Sequence, residues 1–106
     1  MARKSRERGT VNVLADLGFE DAEELAAKAT LALKVNQILT ERGLTQVEAG
    51  ELLGMPQSKV SQIKNYKLQN ISLERLMQAL VALDQRVEIV VKPVRRREQP
   101  VIAVTA

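Results

Sequence analysis

The stretch Thr45–Ile63, TQVEAGELLGMPQSKVSQI, leaves this chain little choice of fold. Its spacing predicts two short helices, roughly 45–53 and 57–64, joined by a tight corner at Gly54-Met55-Pro56. Thr45 is placed to cap the first helix, and Glu48, three residues on, to close a capping box. Val47, Ala49, Leu52 and Leu53 supply its apolar contacts. Gly54 can take the positive φ that ends a helix at little cost, while Pro56 blocks continuation and starts the second helix. Val60 and Ile63, three apart, fix the buried face of that helix. Everything opposite them is small or polar, and uncharged or basic.

The flanks serve this pair. Ahead of it a long helix is expected, with Asp21 as N-cap and Glu20, Glu23 and Glu24 crowding the positive end of its dipole. Leu25, Ala29, Ala32 and Val35 form one stripe on it; Leu31, Val35, Ile38 and Leu39 form a second, so two buried sides are expected before Gly43 ends the helix. After the pair comes a polar loop, Asn65 to Asn70, and a further helix capped by Ser72, with Leu73, Leu76, Met77, Leu80, Val81 and Leu83 as its apolar face. Residues 86–92, RVEIVVK, alternate and are rich in β-branched side chains: Val87, Ile89 and Val91 on one side, Arg86, Glu88, Val90 and Lys92 on the other. This reads as a strand ended by Pro93. One strand is not stable alone, so its expected partner is the same strand of a second copy, antiparallel across a two-fold axis. The chain thus divides into a flexible basic arm (1–10), one domain (11–92) opening on a short apolar patch from Val11 to Gly18, and a flexible basic tail (93–106).

With 106 residues and neither cysteine nor histidine, the chain has no thiol or imidazole chemistry. It also lacks a phosphate-cradling glycine loop and a metal-ligand cluster, so no catalytic residues, no metal and no cofactor are expected. No apolar run approaches the length of a membrane span and the N-terminus is unlike a signal peptide, so a cytoplasmic protein with no membrane partner is expected. Net charge is +3, unevenly spread. Arg3, Lys4, Arg6 and Arg8 outweigh Glu7 at one end, and Lys92, Arg95, Arg96 and Arg97 outweigh Glu98 at the other, leaving an acidic body. Within that body, Leu52 to Leu73 contains no Asp or Glu but holds Lys59, Lys64 and Lys67. An acid-free basic window on the second motif helix and its exit suits contact with phosphate.

Helical phase, about 100° per residue, turns Ser58, Ser61 and Gln62 away from Val60 and Ile63, with Gln57 at the N-terminal end and Lys59 toward one edge. A helix-turn-helix puts this part of its second helix into the major groove, where Gln pairs with adenine, Ser donates or accepts, and Lys suits guanine or phosphate. Gln57, Ser58, Lys59, Ser61 and Gln62 are therefore the expected base-reading residues. Thr45 and Gln46 at the earlier helix start, and Lys64, Asn65, Tyr66 and Lys67 at the exit, are the expected phosphate contacts.

From Gly43 to Leu83 the sequence resembles the Cro/C1-type (XRE) helix-turn-helix repressors, with Gln46, Gly54, Val60 and Ile63 standing where that family places its phosphate-binding Gln, corner glycine and core residues. Gly50 departs from the commoner alanine, and Pro56 from the usual Ser or Thr cap. The resemblance implies a mainly α, lambda-repressor-like DNA-binding domain, with the C-terminal strand used in dimerisation, and base reading by Gln57, Ser58 and Gln62. The flanks are similar to HigA-type antitoxins. That implies a homodimeric repressor on a palindromic double-stranded operator, autoregulating a toxin–antitoxin operon and binding a toxin protein. The alternatives are a stand-alone or phage-type XRE regulator without a toxin, and a protein-interaction module.

Overall fold

Four helices, in chain order α1 (Glu20–Glu41), α2 (Gln46–Leu53), α3 (Gln57–Lys64) and α4 (Leu73–Ala82), build the core of the computed structural model, which describes residues 20–106. The basic arm 1–10 and the Val11–Gly18 patch lie outside the described residues. The caps and bounds of α2, α3 and α4 fall where they were expected, although Val47, Leu52 and Val81, expected among the apolar contacts, are exposed. Thr45 Oγ1 accepts from the Glu48 N–H at 3.1 Å and Glu48 Oε1 accepts from the Thr45 N–H at 2.9 Å, completing the capping box. Ser72 caps α4 through the Arg75 N–H at 3.0 Å. At the other end, Asp21 lies within α1 and not at its cap.

α1 packs chiefly on α4 and also on α3, while α2 and α3 pack on each other. Val35, Val60, Ile63, Leu76 and Leu83 are fully enclosed at the meeting point of these helices. Each such side chain contributes about 1.5–3 kcal/mol of transfer free energy. Only one of the two α1 stripes is buried throughout: Leu31, Val35, Ile38 and Leu39 go inside, whereas Leu25 and Ala29 stay exposed. Three helices supply enough apolar surface to cover one side of α1 and nothing beyond.

The four helix ends are closed in one way. At each, a residue takes left-handed backbone and the next N–H reaches the carbonyl five residues back. The left-handed positions are Gly43 (φ 64°), Gly54 (φ 66°), Tyr66 (φ 57°) and Asp84 (φ 67°). The closing bonds run from Leu44 to Leu39 at 3.1 Å, Met55 to Gly50 at 2.9 Å, Lys67 to Gln62 at 2.8 Å and Gln85 to Leu80 at 2.9 Å. Two of the four positions are not glycine. Asp84 tolerates the conformation and is held by Arg42, whose guanidinium lies 3.2 Å from its carboxylate and donates to the Leu83 carbonyl at 2.8 Å.

The C-terminal segment differs from a formed strand. Residues 86–92 form neither helix nor ladder, and no β-strand occurs among the described residues. A strand exists only through its neighbour, and within one copy none comes into register. Of the residues expected on the dimer strand, Val87 packs half-buried on the core, whereas Ile89 and Val91 are 77% and 89% exposed; Val90, expected on the opposite side, is also exposed. A turn at Arg95–Glu98, in which the Glu98 N–H donates to the Arg95 carbonyl at 3.0 Å, sends the chain back so that Val104 packs on the core too.

Candidate nucleic-acid interface

The corner between α2 and α3 is close because Gly50, buried on α2, lets the chain fold over it. A Cβ there would sit 2.8 Å from the Met55 carbonyl oxygen. Pro56 then starts α3 in extended backbone without a side-chain cap bond; the Lys59 and Val60 N–H groups donate to its carbonyl, and those of Gln57 and Ser58 are left without a side-chain cap. Arg75 of α4 donates to the Gly54 carbonyl at 2.8 Å and clamps the corner from the rear. Asn36 of α1 donates to the Ile63 carbonyl at 3.1 Å and clamps the far end of α3. Neither clamp was legible in the sequence, because each joins residues more than 20 positions apart.

The base-reading set divides in two. Gln57 and Ser58 are exposed, and neither side chain bonds to another described residue. The other three are partly committed to the fold. Lys59 is half-buried and its ammonium donates to the Asn70 carbonyl at 3.0 Å. The Ser61 hydroxyl lies 3.3 Å from the Asn65 amide nitrogen, which also donates to the Ser61 carbonyl at 2.9 Å. Gln62 is half-buried with its side-chain oxygen enclosed and unpartnered. Helical phase predicts direction from the axis alone. It does not register that the α3–α4 loop folds back along one side of α3.

The phosphate set is more evenly presented. Thr45, Lys64, Asn65, Tyr66 and Lys67 are exposed and Gln46 is half-buried. Among the described residues, none of Lys59, Lys64 and Lys67 pairs with a carboxylate; the ion pairs present are Lys28–Glu24, Arg42–Asp84 and Arg86–Glu88. The positive charge on the α3 side is thus open to an outside anion. Among the described residues no helix is long and apolar enough to cross a membrane, and no His/Cys/Asp/Glu group is arranged to hold a metal.

Comparison with known proteins agrees with this geometry. A helix-turn-helix domain family model matches residues 13–92. A solved structure named as an XRE family transcriptional regulator superposes with a TM-score of 0.76 at 46% identity, covering 81% of this chain and 98% of the other. No curated protein matches the chain significantly. The domain match spans most of the chain and the structural neighbour is 46% identical over the aligned part, so this chain belongs to the XRE-type helix-turn-helix family of non-enzymatic, DNA-binding transcriptional regulators.

Proposed function

We propose that the protein is a homodimeric repressor that reads a palindromic operator with Gln57 and Ser58, assisted by Lys59, Ser61 and Gln62. The observation that carries this reading is the exposed, acid-free first turn of α3, held by clamps from α1 and α4. Thr45, Gln46, Lys64, Asn65, Tyr66 and Lys67 border that turn and supply backbone contacts on both sides. Selection of bound duplexes from a random pool tests it. The expected product is an inverted repeat with half-site centres about one helical turn apart, 10–10.5 base pairs or a multiple. A pool that shows no enrichment even at low salt would defeat the reading and favour a protein-interaction module.

The dimer is supported by the segment 86–92. It carries exposed Ile89, Val90 and Val91 beside backbone groups without a ladder. An antiparallel register centred on Val90 sets Glu88 opposite Lys92 of the second copy, twice over, with Ile89 facing Val91 between them. Ile89→Glu should therefore give a folded monomer by sedimentation, because this side chain is outside the core. Val87 is a poor probe, since it packs on the helices and its loss disturbs both fold and interface. A persistent I89E dimer would move the interface elsewhere.

The antitoxin reading is supported by the uncovered side of α1, where Leu25 and Leu33 remain 41% and 49% exposed. Co-expression with the product of the adjacent gene separates it from a stand-alone regulator. A stable complex favours an antitoxin autoregulating its own promoter, and recovery of the protein alone favours the other.

A further inference from the structure

The loop leaving α3 is held far more firmly than a connection needs to be. Two side chains fix its carbonyls, Lys28 at Leu68 (3.1 Å) and Lys59 at Asn70 (3.0 Å), and Asn36 holds the Ile63 carbonyl in the last turn of α3 just before it (3.1 Å). Leu68 and Ile71 are buried beneath it, while Asn65, Tyr66, Lys67, Gln69 and Asn70 face outward.

Two features of this loop work against stability. The first is Lys28, a lysine only 4% exposed, whose ammonium has the Leu68 carbonyl on one side and the Glu24 carboxylate at 3.0 Å on the other. A buried charge carries a desolvation penalty that a neutral donor would avoid. The second is Tyr66. It takes the left-handed position that Gly43 and Gly54 take at the ends of α1 and α2, with the same closing bond. Asp84, the other non-glycine there, is explained by its tie to Arg42. The Tyr66 side chain is 46% exposed and forms no hydrogen bond with a described residue. Strain of this kind persists where the surroundings impose it, and it clusters at functional positions.

We propose that Lys28 is a buried positioning residue of the DNA-backbone contact: it touches no DNA but presets the α3–α4 loop as a clamp, so that Tyr66 and Lys67, already assigned to phosphate, reach it together. This rests on the DNA-binding reading and adds the division of labour within it. The phenol supplies a neutral donor and Lys67 a charged one. Lys28 fixes the Leu68 carbonyl one residue beyond Lys67, so releasing it frees both donors together.

The test uses the full chain and a duplex carrying the selected inverted repeat, with anisotropy titrations between about 50 and 200 mM salt and a thermal melt of each variant. Y66G should melt at the same or a higher temperature and bind both operator and unrelated duplex roughly a hundredfold more weakly, as expected for a bond to a charged group lost from each of two subunits. K28M should bind less tightly by a similar factor, and its salt slope should fall by about one per subunit, although residue 28 is buried. K28R should recover much of that loss, and adding K67A to K28M should change little further. If K28M fails to fold, N36A takes its place. Asn36 has an unpartnered buried oxygen, so its removal relieves one orphan group while releasing the Ile63 carbonyl, and the same weakening and shallower slope are expected. Wild-type affinity and slope in the folded positioning variants, or a Y66G that melts lower and binds unchanged, would overturn the clamp. If the wild type itself selects no DNA, the DNA-binding reading fails before the clamp is tested.

Discussion

Alanine at both Gln57 and Ser58 should leave a protein that folds, binds duplex DNA at low salt and has lost most of its preference for the operator. Both side chains are exposed and bond to no other described residue, so the melting temperature should stay near that of the wild type. In the proposed reading their value lies at the base edge. A bidentate Gln–adenine pair discriminates by about 1–3 kcal/mol, and a two-fold dimer counts each contact twice. Discrimination should fall by roughly thirtyfold to twenty-thousandfold, while the phosphate contacts preserve a salt-sensitive background. A footprint at physiological salt reads the outcome, and protection of the same operator by the double variant would remove these two residues from the reading face. Gln62 should matter less on its own, since its side chain must leave an enclosed position before its oxygen can meet a base.

Gly50→Val should have the largest effect on the fold. A Cβ at this position meets the Met55 carbonyl at 2.8 Å, and that oxygen is backbone, so the corner must move to admit it. Moving the corner strains the Met55-to-Gly50 closing bond and the Arg75 clamp on Gly54. Overpacking of this kind costs about 1–3 kcal/mol, and a β-branched side chain sits at the upper end. In a small domain that is a large share of a total of roughly 5–15 kcal/mol. Gly50→Ala is the informative companion. It gains about 1 kcal/mol of helix propensity, yet should still melt below the wild type because the contact remains. An unchanged melting temperature in G50A would mean that the corner is looser than its geometry indicates.

The elements legible in the sequence were those written in local chemistry. The capping box at Thr45, the glycine at the α2 end, the proline after it, and the Ser72 cap all act within four residues of themselves. The apolar spacing of Val60 and Ile63 fixed the buried face of α3 correctly. One expectation went astray, and another depends on a second copy. Two stripes on α1 predicted two covered sides, but coverage depends on how much of the other helices is available, and Leu25 and Ala29 were left outside. The run RVEIVVK has the composition of a strand, yet strand formation is a property of a pair and a single copy supplies one member. The clamps from Lys28, Asn36 and Arg75 left no local signal. A lysine, an asparagine and an arginine on helices read as surface residues until the fold brings a distant carbonyl to each.

In the proposed dimer, the exposed ribbon at Ile89–Val91 also shapes how the protein would respond to its own abundance. Where protomers are mostly apart, the assembled form grows with the square of protomer concentration. Operator occupancy would then rise more steeply than expression itself. A gene regulated by such a product would stay open through small fluctuations and close over a narrow range. The threshold would be set by how well a few β-branched side chains pair, so that substitutions at Ile89 or Val91 would retune it without altering which operator is read.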